Sequence, residues 1–341
     1  MQSYRVVNAE LPLEEVLYQS NSDCYHAAAP GQVNSLGYFE RLLEAICRMP
    51  RLEHRALRDF TLPVKDGRIA VFLRHDVDHD IITASAMSRL EARYGLRGTY
   101  FLLHSHPFVT PGYYARYDEK NGILLRNACL APVYRRIQAD GNDVGLHVDA
   151  VGLYLQGLDG QHAVVEELAW LRAQGLHVDG MAAHGSFPSY CVENYEFFSE
   201  YHLGHYTHVV FEGTQIRLGG LSARELGLVY EANYVTAPVD IDLKVIDQCR
   251  QQGQSQDKEE FLRWYLHDNP YCRWGADYTF WLYEENCWAI SGHGGKNFFM
   301  PRAGIKDVID FLRDVPAPAR VVLHVHPFYV GLRISEYTFP E

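Results

Sequence analysis

The sequence predicts an α/β fold made of parallel βαβ units, and two features of the chain indicate it. From residue 67 onward, short apolar runs alternate with amphipathic stretches of about a dozen residues. Gly95, Gly141 and Gly175 follow three of these stretches, at the positions where helices commonly end. Strands that alternate with helices of this length form parallel sheets. With 341 residues, the chain is long enough either for one barrel with additions or for two domains.

The elements of this pattern can be placed in chain order. Residues 1–66 are predicted to be a helical lead-in, in which apolar residues recur at helical spacing over Leu36–Arg48. The βα pattern then predicts strands at 68–73, 98–103, 143–147, 177–183 and 320–323, and helices at 81–94, 131–139, 161–174 and 304–314. Residues 206–300 mix short strand-like runs with polar connections and are interpreted as an insertion in a barrel that spans 67–330. A C-terminal tail is expected at 331–341.

Composition narrows the class of protein. The chain carries 43 acidic and 31 basic residues and has no local cluster of Lys and Arg, so its net charge of −12 argues against a nucleic-acid partner. Its seven cysteines are scattered and form no C-x-x-C pair, a usage typical of a reducing compartment. The N-terminus shows no apolar leader and no run of 18 apolar residues occurs. The sequence therefore predicts a cytoplasmic protein without a membrane span.

Residues 74–80 are where chemistry is first expected. The apolar run 69–73 ends there in the segment R-H-D-V-D-H-D. Alternate side chains of a strand face the same side, so Asp76 and Asp78 project together. Two carboxylates so placed repel each other unless a cation or a shared proton separates them, and that cation could be a divalent metal or Arg74. Asp80 has a second interpretation, because it precedes the predicted helix and could cap it.

Other predicted strands end in a similar way. Polar pairs at i and i+2 follow the apolar runs at His104/His106, His147/Asp149 and His324/His326, and His184 follows a further strand. All strands of a parallel barrel deliver their carboxyl ends to one rim, so we expect these residues to converge there. Carboxylates and imidazoles with an open position for water suit Zn²⁺, which lowers the pKa of its bound water to about 7. Gly145 allows a close approach of backbone or ligand beside His147.

Signatures of several other enzyme classes are missing. No G-x-S-x-G elbow occurs, which argues against an α/β-hydrolase serine nucleophile, and no G-x-G-x-x-G follows a strand, so a Rossmann dehydrogenase is unsupported. The glycine-rich turn around His293 does not have the order of a phosphate-binding P-loop. Asp76 and Asp78 could supply the two close carboxylates of a retaining glycosidase, which stays a minor alternative.

The order of these motifs resembles the polysaccharide deacetylase family of carbohydrate esterases, also called the NodB-homology family or carbohydrate esterase family 4. Asp76 and Asp78 are similar to its first motif, an apolar strand ending in two close aspartates. The run G-T-Y-F at 98–101 resembles a following A-T-F-F strand, and G-N-D-V-G-L-H at 141–147 resembles the histidine motif. The run L-H-V-H at 323–326 resembles the closing L-H-x-H motif. The resemblance implies a distorted (β/α) barrel of about seven parallel strands.

The resemblance also implies roles for the aspartates and the closing histidines. Asp76 would be the catalytic base and Asp78 a metal ligand. Val77 separates two residues that are adjacent in the family, so the opposite assignment stays open. His324 or His326 would protonate the leaving group.

The implied metal ligands depart from the family's pattern at one position. His147 matches the first histidine of the second motif, but the chain has Val151 four residues later, where the family has another histidine. His184 or Asp149 could replace it, and we predict His184. The family's third motif, which contains an arginine, is missing, and A-H-G-S at 183–186 occupies about its place.

These observations and the resemblance together predict a metal-dependent hydrolase that removes an acetyl or formyl group from an amino sugar. Asp78, His147 and His184 would hold the Zn²⁺, and Arg74 could orient Asp76 as it deprotonates the water. The similar branch of the family is associated with bacterial surface-polysaccharide synthesis, so the expected partner is a small-molecule or saccharide precursor. Two alternatives stay open: a barrel that has lost catalysis and binds carbohydrate, and an amidohydrolase acting on a non-sugar amide.

Overall fold

The computed structural model shows an α/β protein built around one large sheet. It describes residues 5–8, 36–78, 81–104, 115–118, 120–184, 192–202, 207–211, 213–233, 276–282, 287–291, 305–327 and 330. Asp80, His106, His293 and the predicted tail at 331–341 lie outside these residues. Within the described ranges, no helix is both long enough and apolar enough to cross a membrane.

The helices and strands follow the predicted alternation. The first half of the chain contains β1 (Arg5–Asn8), α1 (Leu36–Arg48), β2 (Leu52–His54), β3 (Ile69–Val77), α2 (Ile81–Arg93), β4 (Gly98–Leu103), β5 (Ala115–Asp118), β6 (Ile123–Arg126), α3 (Ala131–Ala139), β7 (Asp143–Val148), α4 (Ala150–Leu155), α5 (Gly160–Ala173) and β8 (Gly180–Ala183). The second half contains β9 (His208–Phe211), β10 (Thr214–Arg217), β11 (Tyr230–Glu231), β12 (Tyr278–Leu282), β13 (Cys287–Ser291), α6 (Ile305–Asp314) and β14 (Ala319–Val325). The strand predicted at 177–183 begins only at Gly180, whereas β3 continues to Val77 and so includes the first polar residues.

Seven parallel strands curl into a half-barrel, which confirms the predicted fold class. Their order across the sheet is β11, β8, β7, β4, β3, β14 and β12, and β13 pairs antiparallel with β12. β11, β12 and β13 come from the predicted insertion at 206–300, so this stretch supplies part of the main sheet. It also contains the separate β9–β10 hairpin.

Alternation along β3 distinguishes the inner face of the curled sheet from its outer face. Ala70 and Phe72 belong to a small cluster that also takes residues from β4, β8, β11 and β14, so it fills the concave side. Ile69 and Val71 belong to the large cluster that includes the apolar residues of α1 and α2. By the same alternation, Asp76 lies on the inner face, above Phe72.

Part of the predicted helical lead-in belongs to the barrel. Besides α1 it contains β2, which pairs with the first residues of β3. β4 pairs with the same edge of β3 from Leu73 onward. The short 3₁₀ turn Leu57–Asp59 follows β2, and Leu57 and Phe60 are buried in the inner cluster. The Phe60 and Phe72 ring centroids are 5.0 Å apart. This turn therefore closes the half-barrel at the end where its strands begin.

Candidate metal centre

Polar residues from four strands lie together at the carboxyl end of the half-barrel. The group consists of Arg74, Asp76 and Asp78 at the end of β3, His147 at the end of β7, His184 directly after β8, and His324 and His326 at the end of β14. These strands neighbour one another in the sheet through β4 and are parallel, so their carboxyl ends share one rim. The structure thus brings together all seven side chains that the sequence singled out as site residues.

Three of these residues have the spacing of metal ligands. One ligand atom from each of Asp78, His147 and His184 lies within 4.8 Å of the other two. Nε2 of His147 is 3.3 Å from Oδ1 of Asp78. Two ligands bound tetrahedrally to Zn²⁺ at 2.0–2.1 Å are about 3.3 Å apart, so a cation fits between these atoms. Oδ1 of Asp78 is buried and accepts no hydrogen bond from the residues that the structure describes, which leaves it available as a ligand.

His147 presents one defined nitrogen to this space. It is 1% exposed at the end of β7, and its Nδ1 lies 2.9 Å from the carbonyl oxygen of Ala182. A carbonyl oxygen only accepts, so Nδ1 carries the proton and donates it. Nε2 is then the nitrogen that faces Asp78. A backbone acceptor that fixes the tautomer in this way is a common feature of metal-binding histidines.

The backbone of His184 is held by its neighbours, although the residue follows the end of β8. Its N–H donates to the carbonyl of Val148 at 2.8 Å, and its carbonyl accepts from Nδ2 of Asn194 at 3.0 Å. The preceding residue, Ala183, donates its N–H to Glu231 at 2.6 Å. These bonds fix the position from which the His184 side chain reaches the other two ligands. Asn194 and Glu231 were not recognised in the sequence, because neither lies in a motif.

Asp149 borders His184 and changes its pKa, and it is not one of the three residues that could hold a metal. Its Oδ1 is 3.9 Å from Nδ1 of His184 and accepts from the N–H of Gly152, so it also caps α4. Burial alone would lower the pKa of His184, but the Asp149 carboxylate outweighs burial and raises it to about 9. Of the two candidates considered for the missing ligand, His184 is the one that lies in the three-residue group.

His104 and Val151 are excluded from this ligand set by their contacts. Nε2 of His104 accepts the backbone N–H of Asp149 at 2.8 Å, and burial lowers the pKa of His104 to about 4. Val151 is fully buried in α4, and its N–H donates to Oδ1 of Asn194 at 2.9 Å. The position where a second family histidine was expected is therefore part of the apolar core, and the group that could hold a metal takes its third residue, His184, from a different strand end.

Asp76 is held by a guanidinium fork. Nε and Nη2 of Arg74 donate to its two carboxylate oxygens at 2.8 and 2.7 Å, and both residues are buried. Burial by itself would raise the pKa of Asp76, but the charge and the two hydrogen bonds of Arg74 hold it well below its usual value. The carboxylate is consequently ionised in spite of its burial. Arg74 in turn lies 5.7 Å from the centroid of the Phe101 ring.

The two histidines of β14 lie against the aspartates. Nε2 of His324 is 3.0 Å from Oδ2 of Asp76, and Nε2 of His326 is 3.6 Å from Oδ2 of Asp78. The two imidazole rings stack with centroids 4.7 Å apart. Burial lowers the pKa of His324 to about 3, despite the opposing charge of Asp76. With Asp76, they form a second group whose spacing could hold a metal.

Two glycines make room for the aromatic floor beneath the centre. A Cβ on Gly145 would lie 2.5 Å from the Phe101 ring and 2.8 Å from the carbonyl oxygen of Gly180. A Cβ on Gly180 would overlap the ring of Tyr230. The close approach predicted at Gly145 is therefore made by a packed ring, which supports the guanidinium of Arg74 from below.

No family model, curated protein or solved structure matches this chain. Function is therefore inferred from the chemistry of the centre. That centre combines a group able to hold a divalent cation, a buried ionised carboxylate and a neutral imidazole within hydrogen-bonding distance of that carboxylate. Such an arrangement can activate water and transfer its proton.

Proposed function

We propose that this protein is a metal-dependent hydrolase that cleaves an amide bond, removing an acetyl or formyl group from an amino sugar. The observation that supports it most is the side-by-side placement of the Asp78, His147 and His184 group and the carboxylate of Asp76. Nε2 of His147 is 3.3 Å from Asp78 and 3.4 Å from Asp76, so a ligand of the cation also borders the base. A water on the cation would therefore be close to a proton acceptor.

Arg74 decides which aspartate is the better metal ligand. Its guanidinium is permanently charged and donates to both oxygens of Asp76, which disfavours a second cation there. Asp78 is bordered instead by the imidazoles of His147 and His326, which can be neutral. We therefore propose that Asp78 binds the metal and that Asp76 takes part in proton transfer.

When bound, a divalent cation such as Zn²⁺ would supply two effects: it lowers the pKa of water and polarises the amide carbonyl. The protein's own residues move the proton. Asp76 accepts it from the attacking water, and His324, at 3.0 Å, takes it from Asp76 and donates it to the departing amine nitrogen. Because His324 has a lowered pKa, it begins the cycle neutral and is able to accept this proton. The products are a carboxylic acid and a free amine.

The resemblance of the motifs to polysaccharide deacetylases favours an N-acylated amino sugar over other amides. Scattered cysteines without C-x-x-C pairs favour a reducing compartment, so we propose a cytoplasmic precursor of a surface polysaccharide as the substrate. The negative net charge is consistent with a saccharide or small-molecule partner and disfavours nucleic acid.

The metal assignment is tested by measuring Zn²⁺ bound to the purified protein and to the variants Asp78→Ala, His147→Ala and His184→Ala. We expect one equivalent in the wild type and a loss in each variant, since each removes one of three ligands. His177→Ala is the matched control, because His177 is 70% exposed beside Asp179 and remote from the centre in the sheet. Undiminished Zn²⁺ in the first three variants would contradict the assignment.

The substrate assignment is tested with a panel of acylated amides. Acetylated and formylated amino sugars, free and nucleotide-linked, are compared with small non-sugar amides, and release of acetate or formate is measured. Release from the sugars alone supports the proposal, whereas release from the small amides would indicate a general amidohydrolase. Bound Zn²⁺ with no release from any amide would favour a carbohydrate-binding protein that has lost catalysis.

A further inference from the structure

A second group of ionisable residues lies on the opposite face of β3, directly behind the centre. His75, between Arg74 and Asp76, points to the outer face and is fully buried together with Glu91 of α2. Nε2 of His75 is 2.6 Å from Oε1 of Glu91, and the hydroxyl of Tyr100 donates to Oε2 of Glu91 at 2.7 Å. None of these three side chains takes part in the proposed reaction.

The hydrogen bonds of His75 link it to the strand that carries the closing histidines. Its Nδ1 is 3.2 Å from the carbonyl oxygen of Val325, which can only accept, so Nδ1 donates. Its Nε2 faces the carboxylate of Glu91. Burial and the charge of Glu91 raise the pKa of Tyr100 well above its usual value, so the phenol keeps its proton and remains a donor. Both ring nitrogens of His75 and both carboxylate oxygens of Glu91 therefore have hydrogen-bond partners.

The chain makes a close-fitting space for this pair. A Cβ on Gly98 would lie 2.5 Å from Oε2 and 2.9 Å from Oε1 of Glu91, so glycine is needed for the carboxylate to reach its place. The ring centroid of His75 lies 4.5 Å from that of Tyr100 and 5.8 Å from that of Phe39 in α1, which meets it edge to face. A buried ionisable pair is costly unless all its contacts are satisfied, and here they are.

The contact with Val325 is made where the backbone pairing of the two strands stops. The register between β14 and β3 ends at the pair His324 and Arg74, and Val325 is the next residue of β14. The His75 side chain therefore supplies the next link between the two strands. Val325 lies between His324 and His326, so this link fixes the segment from which both reach the aspartates.

We propose that His75 and Glu91 are positioning residues, which hold the end of β14 so that His324 stays within 3.0 Å of Asp76. The inference rests on the proposed function for its catalytic consequence, because His324 matters as the group that passes the proton. It does not concern the metal ligands His147 and His184, since β7 and β8 make no contact with this pair in its hydrogen bonds.

Two substitutions separate the hydrogen bonds from the rest of the packing. His75→Phe keeps a ring but removes both bonds. Glu91→Gln keeps the hydrogen bonds to both neighbours, because the amide nitrogen can donate to Nε2 of His75 while the amide oxygen accepts from Tyr100. The control is Arg126→Met, which breaks another buried pair, with Glu167, that also joins a strand to a helix.

The first readout is hydrogen exchange of the segment 319–325, compared with 143–148, together with bound Zn²⁺. We expect His75→Phe to speed exchange in 319–325 alone and to leave bound Zn²⁺ unchanged, while Glu91→Gln behaves as the wild type. This readout does not depend on any activity, so it stands even if the proposed reaction is wrong. Unchanged exchange in 319–325, or the same change after Arg126→Met, would overturn the inference.

The second readout is steady-state kinetics. His75→Phe is expected to lower kcat by about 10- to 100-fold with KM unchanged, because a displacement on the order of 1 Å at the reacting groups has an effect of this size. Arg126→Met should lower Tm without this fall in kcat. An equal fall of kcat in both variants would show a general loss of stability and would refute the positioning role. If His75→Phe does not fold, Gly98→Ala displaces Glu91 without removing a hydrogen-bonding group, and the same two readouts apply.

Discussion

Asp149→Asn tests the metal centre through the protonation of a proposed ligand. Asp149 raises the pKa of His184 to about 9, while its backbone and side chain also hold the start of α4. Asparagine is close to isosteric, and its Oδ1 can still accept from the N–H of Gly152, now at 3.1 Å. The substitution therefore removes a charge while the helix cap is retained.

The size of the effect follows from the pKa. A pKa of about 9 leaves roughly 1% of the metal-free His184 neutral at pH 7, and since a metal binds the neutral ring, deprotonation costs about 2.7 kcal/mol of the binding free energy. Without the Asp149 carboxylate its raising effect is lost while burial still acts, so the pKa of His184 falls and this cost becomes smaller, although Asp78 and Asp76 still favour the charged ring. Loss of the orienting partner weakens metal binding by about 10- to 100-fold, so the two effects nearly cancel at pH 7.

The expected result is therefore a change in pH dependence rather than in affinity at neutral pH. Zn²⁺ affinity, measured against a competing chelator between pH 7 and pH 8.5, should rise more steeply with pH in the wild type than in Asp149→Asn, by up to about tenfold per pH unit. Calorimetry in two buffers should show that the wild type releases more protons on binding Zn²⁺ at pH 7.5. Asp159→Asn is the control, because Asp159 caps α5 in the same way. Equal slopes and equal proton release in the wild type and Asp149→Asn would refute the reasoning.

Three further predictions concern the other parts of the centre. Arg74→Gln leaves the buried Asp76 without its fork, so we expect the free energy of unfolding to fall by about 3–5 kcal/mol and, because the pKa of Asp76 rises, the acid limb of the kcat/KM profile to move to higher pH. His324→Gln should lower kcat by about 10²- to 10⁴-fold with bound Zn²⁺ unchanged, as measured by steady-state assay and metal analysis. Gly145→Ala places a Cβ 2.5 Å from the Phe101 ring, so urea unfolding should show a loss of about 1–3 kcal/mol.

Each of these three substitutions has a control, in which a residue of the same type is replaced at the protein surface. Arg93→Gln removes an arginine that is 65% exposed, and His162→Gln a histidine that is 59% exposed, so neither should alter the kinetics. Gly37→Ala lies at an exposed position in the first turn of α1 and should not lower the free energy of unfolding. An acid limb unmoved in Arg74→Gln, Zn²⁺ lost with His324→Gln, or an unfolding free energy undiminished in Gly145→Ala would each contradict the corresponding argument.

The fold and the meeting of the site residues could be predicted because each depends on a local pattern. The apolar run of β3 and its sudden change to charged residues place Asp76 and Asp78 on one face, whatever the rest of the chain does. Parallel strands then bring His147, His184 and His324 to the same rim. The roles proposed for these residues in catalysis remain predictions, because the geometry gives their positions and the reaction is inferred from them.

The supporting contacts could not be read from the sequence, because they join distant segments. Asn194 bonds both to the carbonyl of His184 and to the N–H of Val151, which are 33 positions apart, and no spacing rule connects such residues. Glu231 lies in β11, a strand of only two residues that has no periodicity to recognise. β2 was missed for the same reason, since three residues with intermediate burial give no alternating pattern.

The position of β2 has a consequence for where this chain can be shortened. β2 and β4 lie end to end along one edge of β3, so a polypeptide starting at residue 67 would keep the whole centre but leave the beginning of β3 with bare backbone donors and acceptors. It would also lose Leu57 and Phe60 and open the apolar interior to water. An uncovered strand edge next to exposed apolar surface is a template for pairing with other chains. Residues 52–60 are therefore the part of the lead-in that keeps the barrel from aggregating, and the smallest soluble unit should begin before Leu52.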